Sequence, residues 1–375
     1  MSYREVRGSW GPARTGRTRA TAAPLLSRLG RRPGARAALA ILAGAALAWV
    51  LVDAGWWLAF ARDPALRLDP CRGLVPLTDT QALRTGEGHS NQARFNAFGS
   101  VILPAPRRIR HRVLLIGDSE SASYAIDPRD HYGARLAARF PDVEFTCEAQ
   151  PNYSLADFLR LARCSDGFAG YDLVVIQGCE MNGPPSFDPS RGRGLAVASL
   201  RDGRVDVTSE PLGWVGRHLA LYNAVDRFDA LGRRLMTLAR ELEHVARHPR
   251  RRAAPASAGS PDFSATGPLL VALRREVKPP AIWLYLPRVH GVGDRRGPDD
   301  AYGPQFLADC LEAGFTVVDP GARLVAYRAP DGGYANGNPW TQPGTGHLNA
   351  NGQRLLADAV APEIARVLGS DPGGR

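Results

Sequence analysis

Residues 113 to 123 read VLLIGDSESAS, an apolar run that ends in Gly117-Asp118-Ser119. A short apolar run before a glycine is typical of a buried strand, and a glycine followed by small polar residues is typical of a turn. A serine just past a buried strand, on a turn that opens toward a helix, holds its hydroxyl at the edge of a sheet. The stretch therefore predicts a strand, a turn and a serine placed as a nucleophile would be.

Further strands and helices alternate with this one along the chain. The predicted strands are short apolar runs bounded by Gly, Pro or Asp, namely Val113–Ile116, Val143–Cys147, Leu173–Gln177, Ala281–Leu286 and Phe315–Val318. Helical spacing of apolar residues predicts helices at Tyr132–Phe140 and Ser154–Cys164. Strands separated by helices predict an α/β fold with a mostly parallel sheet covered on both faces. In such a sheet, reactive groups gather at the carboxyl ends of the strands.

Two regions lie outside this alternation. Residues 214–247 have apolar side chains at helical spacing and predict an amphipathic helix that packs on the core or forms a lid. Residues 248–267 are rich in Arg, Pro, Ala, Ser and Gly and predict a mobile loop. For the three arginines at 250–252, a solvated loop is the favoured interpretation and a contact with anionic glycans or lipid headgroups is the alternative.

The positive charge of the chain is concentrated at its amino terminus. The net charge of the 375 residues is +10, but nine arginines and one glutamate lie within residues 1–36. The remainder is nearly neutral, so no nucleic-acid partner is predicted. A hydrophobic content of 44% is ordinary for a globular protein and does not identify a function class.

An apolar stretch follows the basic segment. Residues 37–52 read AALAILAGAALAWVLV, and after Asp53 the chain stays apolar to Ala61. This length predicts a transmembrane signal anchor at 37–61, which would make the protein a single-pass component of a bacterial cell membrane. The arginines predict a cytoplasmic tail at 1–36 and an extracytoplasmic location for the rest. A cleaved signal peptide, with a cleavage-like triplet at 46–48, is the alternative.

All the cysteines follow this stretch, on the side of the membrane where disulfides form. They are Cys71, Cys147, Cys164, Cys179 and Cys310. None has metal-ligand spacing, and neither a metal nor a cofactor is predicted. Cys147 and Cys164 flank one predicted helix and are a candidate pair, although the sequence does not define the connectivity. Cys179, at the end of a predicted strand, is expected to be a buried structural residue.

A second chemical pattern lies near the carboxyl terminus. Residues 344–352 read GTGHLNANG and precede the amphipathic stretch QRLLADAVAPEIARVL, which predicts a helix. A histidine on a glycine-rich loop at a helix start can point into a cleft, and its near-neutral pKa suits a general base. With Ser119, which lies 228 residues earlier, His347 forms a candidate dyad.

These two blocks resemble those of the SGNH (GDSL-type) hydrolase superfamily. In that family a GDS block follows the first strand and a His-Leu-Asn-x-x-Gly block precedes the last helix. The resemblance implies a three-layer α/β/α flavodoxin-like fold. The apolar stretch 37–61 predicts one transmembrane helix before it. The SGNH hydrolase-like domain is expected at 112–370, after an extracytoplasmic connecting segment at 62–111 and before a disordered tail at 371–375.

By this resemblance Ser119 is the nucleophile that attacks an ester carbonyl, and His347 is the base that takes its proton. The Ser119 backbone N–H would be one donor to the oxyanion. The family's Gly-x-Asn-Asp block is similar, with wider spacing, to residues 178–182, so the Asn182 side chain is a second candidate donor; a structural turn asparagine is the rival interpretation. The family's other donor is a glycine N–H, and here Asn152 stands as its counterpart, since asparagine often tolerates the dihedral angles involved.

The sequence departs from the family at the third member of the triad. The family has an aspartate three residues before the histidine, and this position is Gly344 here. A main-chain carbonyl of residues 338–345, or the carboxylate of Asp331 or Asp319 folding back, is a candidate orienter of His347. Loss of the acid alone does not exclude catalysis, because the dyad geometry can persist without it.

These observations predict a membrane-tethered, extracytoplasmic serine esterase or O-acyl transferase. Its expected substrate, and its expected partner besides the membrane at 37–61, is an acylated cell-envelope glycan or a similar surface ester. The alternative is a catalytically weakened domain of the same fold that binds glycan or assists an acyl transferase. A nucleotide-binding Rossmann-like domain is disfavoured, because residues 117–121 lack the G-x-G-x-x-G pattern that a pyrophosphate requires.

Overall fold

A computed structural model describes the chain in several ranges. They are residues 66–76, 80–84, 90–124, 126–188, 195–209, 262–287, 302–329, 333–338, 341 and 344–369, with single helical residues between 37 and 51. The predictions for 1–36, most of 37–61, 214–247, 248–261, Asp331 and 371–375 lie outside the described residues. Of the predicted loop 248–267, the last two residues are helical.

Within the described ranges, no helix is both long enough and apolar enough to cross a bilayer.

From residue 111 onward, strands and helices alternate along the described chain except at one hairpin, over residues 196–209. The strands are β1 (Leu66–Asp69), β2 (Gly73–Pro76), β3 (Thr80–Arg84), β4 (Ser90–Arg94), β5 (His111–Gly117), β6 (Val143–Ala149), β7 (Leu173–Gly178), β8 (Ala196–Arg201), β9 (Arg204–Ser209), β10 (Ala281–Tyr285) and β11 (Thr316–Val318). The α-helices are α1 (Ser119–Ala122), α2 (Tyr132–Arg139), α3 (Leu155–Cys164), α4 (Thr266–Glu276), α5 (Gly303–Ala313), α6 (Gly321–Ala326) and α7 (Ala350–Leu368).

A five-stranded parallel sheet forms the centre of the fold. Its strands lie in the order β11-β10-β7-β5-β6, and each neighbouring pair is parallel. Numbered by their succession along the chain, these strands run fifth, fourth, third, first, second, which is the flavodoxin-like order. Helices α2 and α7 pack on one face, and α3, α4 and α5 pack on the other. The predicted three-layer α/β/α fold with a mostly parallel sheet is confirmed.

The central strand β5 shows why its sequence is continuously apolar. Val113 and Leu115 pack in the core beneath α2 and α7, whereas Leu114 and Ile116 pack in the core beneath α3 and α4. All four side chains are fully buried. Because successive side chains of a strand point to opposite faces, a strand covered by helices on both sides needs apolar residues at every position.

The segment 62–111, predicted as a connector, packs against the sheet where it is described. Phe95 and Val101 form an isolated antiparallel bridge, and both side chains are buried. The Ser100 hydroxyl donates to the carbonyl of Ala149 at 2.9 Å and accepts its N–H at 2.8 Å. These contacts cover the outer edge of β6, where unpaired backbone groups would otherwise be exposed. The chain divides into two compact units, Met1–Trp57 and Leu58–Arg375, so the second unit begins well before Arg112.

A disulfide joins Cys71, in the turn after β1, to Cys164 at the end of α3, with their Cα atoms 5.9 Å apart. The pairing of Cys147 with Cys164 is therefore wrong. Cys147 is a free, fully buried thiol in the core beneath α2 and α7, whereas α3 packs on the opposite face of the sheet. Cys179 and Cys310 are also free; Cys310 is buried, and Cys179 is half-buried rather than fully enclosed.

Candidate active site

The turn after β5 places Ser119 at the carboxyl edge of the sheet. Gly117 ends the strand, and a Cβ there would lie 2.3 Å from Ser121 Oγ and 2.6 Å from Gln177 Oε1, so only glycine fits. Asp118 caps the short helix α1, because its carboxylate accepts the Glu120 N–H at 3.0 Å. Ser119 is the first residue of α1 and is half-buried, so its hydroxyl is held in place yet reachable.

His347 lies directly against this serine. Its Nε2 atom is 2.9 Å from Ser119 Oγ, although the two residues are 228 positions apart in the chain. This distance lies within the reach that a general base needs to take a hydroxyl proton. The structure thus brings together the two residues that the motifs singled out as a dyad.

The loop that carries His347 is fastened by backbone hydrogen bonds on its far side. The His347 carbonyl accepts the Gly337 N–H at 3.0 Å, and Leu348 pairs with Asn336 in an isolated antiparallel bridge. Asn349 then caps α7 by accepting two backbone N–H groups of its first turn. The backbone around His347 is therefore held by a paired segment on one side and a helix start on the other.

Asn182 connects the turns after three neighbouring strands. Its Oδ1 accepts the Cys179 N–H at 2.7 Å, and its Nδ2 donates to Asp118 Oδ2 at 3.0 Å and to the Tyr153 carbonyl at 2.9 Å. These two bonds occupy both amide hydrogens. To donate to an oxyanion as the sequence predicts, Asn182 has to exchange one of them for the substrate oxygen.

Asn152 lies on the turn that follows β6, at the same edge of the sheet. The Tyr153 N–H donates to the Gln150 carbonyl at 3.3 Å, and Asn152 has a φ of 67°. With Pro151 before it, this arrangement is that of a type II turn, whose third residue needs a positive φ. Asn152 thus adopts the conformation that its role as a stand-in for glycine requires; its part in the oxyanion site stays a prediction.

The two carboxylates predicted as orienters of His347 stay predictions in that role. Asp331 lies outside the described residues. Asp319 Oδ1 accepts the Gly321 N–H at 2.7 Å, at the start of α6. Gly344 is buried with a φ of 78°, and its N–H donates to the Asn336 carbonyl at 3.2 Å.

Two residues that were not predicted connect the serine turn (residues 117–120) to the histidine loop (residues 344–349). The Glu120 carboxylate accepts the Leu348 N–H at 2.9 Å. Gln353, fully buried on α7, donates to the Glu120 carbonyl at 3.0 Å and accepts the Tyr132 N–H at 3.0 Å. The only signal for Glu120 in the sequence is a charged residue at the place where the GDSL pattern has a leucine.

Burial shifts the titration of the carboxyl group next to the nucleophile. Desolvation raises the pKa of Asp118, while hydrogen bonds from Asn182, Glu120 and Gln177 partly oppose that rise.

His131 is a second histidine close to the nucleophile turn, but it is enclosed in the core. Its Nδ1 accepts the Gly133 N–H at 2.9 Å, so the proton is on Nε2, which donates to the Ser121 carbonyl at 2.7 Å. Burial lowers the pKa of His131 to about 4, so the ring is neutral at physiological pH. His131 therefore supports the turn rather than taking part in proton transfer.

The fold and the site together define the class of this protein. It is a flavodoxin-like α/β protein with a Ser–His pair at the carboxyl edge of its parallel sheet. The GDS block follows the first strand of that sheet and the His-Leu-Asn block precedes the last described helix, which is the arrangement that the sequence predicts for this fold. Within the described residues, no group of three or more His, Cys, Asp or Glu is placed to hold a metal ion.

Several solved structures are similar to this chain. One is the lipase/acylhydrolase from Enterococcus faecalis, with 15% identity over 71% of this chain and 100% of that chain and a TM-score of 0.38. Another is a catalytic mutant of an acetylxylan esterase from Geobacillus stearothermophilus, with 12% identity, coverages of 72% and 98%, and a TM-score of 0.35. A protein assigned to the G-D-S-L lipolytic family from Desulfitobacterium hafniense has 12% identity, coverages of 69% and 99%, and a TM-score of 0.33.

No family model and no curated protein matches the chain. Because the TM-scores of these three structures are all below 0.4, the class of the protein rests on its own strand order and site geometry.

Proposed function

We propose that this protein is a serine hydrolase of ester bonds, with Ser119 as the nucleophile and His347 as the general base. The hydrogen bond of 2.9 Å between His347 Nε2 and Ser119 Oγ carries the proposal. A hydroxyl that is bonded to an imidazole and reachable at a strand end can be deprotonated as it attacks a carbonyl carbon.

The reaction proceeds in two halves. In the first, Ser119 Oγ attacks the ester carbonyl, His347 takes the hydroxyl proton, and the tetrahedral intermediate expels the alcohol, which receives that proton. In the second, His347 deprotonates a water or an acceptor hydroxyl, whose oxygen attacks the acyl carbon. The bond between that carbon and Ser119 Oγ then breaks, His347 returns the proton to Oγ, and the acid or the new ester leaves. The Ser119 and Asn152 backbone N–H groups and the Asn182 amide are the candidate donors to the oxyanion, and each such donor typically lowers the barrier by about 3 kcal/mol.

We also propose that the domain is tethered to the membrane and acts outside the cytoplasm on acyl esters of a cell-envelope glycan, by hydrolysis or by O-acyl transfer. The apolar stretch 37–61 behind an arginine-rich tail supports the tether. The disulfide between Cys71 and Cys164 supports the location, because disulfides persist in oxidising compartments. A tether keeps the catalytic serine close to large envelope polymers.

A catalytically weakened glycan-binding domain is the second candidate function. Gly344 favours it, because no acid stands at the family's triad position and removal of that acid from a triad lowers turnover by about 10⁴-fold.

Covalent labelling distinguishes these two functions. The purified domain, treated with a fluorophosphonate probe, is expected to form an adduct on Ser119 and to hydrolyse p-nitrophenyl acetate. The Ser119→Ala variant, with the same fold, should do neither. An unlabelled Ser119, together with hydrolysis equal to that of Ser119→Ala, would contradict the hydrolase. Ligand-dependent thermal shifts with glycans, without turnover, would then support the binding domain.

Protease accessibility tests the proposed topology. In spheroplasts that express the full chain, added protease is expected to digest the region after Arg62 and to spare the tail 1–36. Digestion of the tail alone would reverse the orientation. Full protection of both regions in intact spheroplasts, with digestion after lysis, would place the domain in the cytoplasm.

A further inference from the structure

Two hydrogen bonds join the serine turn to the histidine loop side by side. Ser119 Oγ bonds His347 Nε2 at 2.9 Å, and Glu120 Oε2 accepts the Leu348 N–H at 2.9 Å. The bonds thus connect two consecutive residues on one segment with two consecutive residues on the other. The first bond is the path of the proposed proton transfer, and the second holds the backbone at the residue after His347.

Glu120 is well placed to act as a rigid anchor. Its N–H donates to Asp118 Oδ1 at 3.0 Å and its carbonyl accepts from Gln353 Nε2 at 3.0 Å, so its backbone is fixed at both polar groups. Its half-buried carboxylate accepts from a backbone N–H, and such charge-assisted bonds are shorter and stronger than neutral ones.

The exact position of the His347 backbone matters for the reaction. In a serine triad the acid holds the imidazole in the orientation that faces the hydroxyl. Gly344 supplies no side chain for this purpose. Since a displacement of about 1 Å at a reacting group can cost about 100-fold in rate, whatever holds the Leu348 backbone also controls the reactivity of His347.

We propose that Glu120 is a positioning residue, which holds the backbone next to His347 through the Leu348 N–H and so keeps the imidazole in register with Ser119. The inference rests on the proposed hydrolase function. It assigns to the residue after the nucleophile a role that acts through the backbone and not through the imidazole ring.

Two substitutions at Glu120 separate positioning from a merely structural role. Glu120→Ala removes the acceptor, whereas Glu120→Gln keeps an oxygen that can accept the same N–H. With p-nitrophenyl acetate, and with active sites counted by fluorophosphonate titration, Glu120→Ala is expected to lower kcat about 10- to 100-fold and to leave KM within about twofold. Glu120→Gln is expected to retain kcat within about threefold of the unmodified protein.

Glu144→Ala is the matched control. Glu144 lies at the opposite end of the sheet, in an ion pair of 3.0 Å with the exposed side chain of Arg112, and such surface pairs contribute little. Its removal should leave kcat per active site unchanged.

Two results would overturn the inference. One is a Glu120→Ala variant with unchanged kcat per titrated site, and the other is a Glu120→Gln variant as slow as Glu120→Ala. Crystal structures of the unmodified and Glu120→Ala proteins add a readout that needs no activity: His347 Nε2 should move out of hydrogen-bond reach of Ser119 Oγ in the variant. An unmodified protein without activity would contradict the hydrolase, while an unmoved His347 would contradict the role of Glu120.

Discussion

Gly344 stands three residues before His347, and its backbone has a φ of 78°. A residue with a Cβ in that region costs about 1 kcal/mol or more, so this loop path favours glycine over aspartate. The path is compatible with the antiparallel bridge between Asn336 and Leu348 and with the bond from Leu348 to Glu120. The glycine at this position and these backbone contacts therefore fit the same loop conformation.

His131 gives the molecule a specific sensitivity to acid. A histidine in an unfolded chain has a pKa of about 6.5, and burial lowers the pKa of His131 to about 4 in the folded protein. Between these values the unfolded chain binds more protons than the folded one, so the free energy of unfolding falls as the pH falls. The contribution of His131 to this loss between pH 7 and pH 4 should be about 3 kcal/mol, obtained from urea denaturation at a series of pH values as the difference from a variant without His131.

His131→Gln is the control for this prediction, because it removes the titration while keeping an amide that can hydrogen-bond. Burial also raises the pKa of Asp118 and Glu148, and these carboxyl groups have the opposite effect, since the folded state then binds their protons first. They are present in both proteins, so the difference between the two pH profiles isolates His131. Parallel profiles from pH 7 to pH 4 would show that His131 does not titrate as described.

At the level of elements, the strands that the sequence predicts well are those buried on both faces. β7 is buried at every position and reads as one apolar run, so its ends agree with the prediction within one residue. The hairpin of β8 and β9 was missed, because its partly exposed strands alternate in character and carry no continuous apolar signal. Its turn was visible in principle: Asp202 and Gly203 have φ values of 49° and 73°, as a type I′ turn requires.

The same distinction applies to the site. Ser119 and His347 were found because each lies in a local pattern of strand, turn and helix that its own neighbours define. The contact between Glu120 and Leu348 joins residues 228 positions apart, and the local sequence around neither residue predicts it. The hydrogen bonds of Asn182 to Asp118 and Tyr153 also depend on how the turns meet in space. The sequence therefore singled out Asn182 but did not predict that its amide group would already be hydrogen-bonded.

At the level of the whole molecule, Cys71 and Arg72 form an amino-terminal clamp that joins the segment before β5 to the sheet and α3. Arg72 Nε lies 2.7 Å from Glu148 Oε1, and the Arg72 carbonyl accepts a hydrogen bond from the Tyr153 hydroxyl at 3.1 Å. The Tyr153 carbonyl in turn accepts from Asn182, so the clamp reaches the turn that carries Asn152. Contacts outside the predicted 112–370 domain therefore help to position candidate oxyanion donors.

The disulfide of this clamp should contribute strongly to stability. Cys71 and Cys164 are 93 residues apart, and closing a loop of that size in the unfolded chain corresponds to about 5 kcal/mol of stabilisation. Without reductant, Cys71→Ser, Cys164→Ser and the double variant should lose this amount equally in urea denaturation, because each removes the same bond. Reductant should lower the free energy of unfolding of the unmodified protein to that of these variants, and should not change that of the double variant. Cys310→Ser removes a free thiol, so reductant should destabilise this variant as much as it destabilises the unmodified protein. Equal stability of the unmodified protein with and without reductant would mean that the bond does not form in solution, and would remove the support that it lends to an extracytoplasmic location.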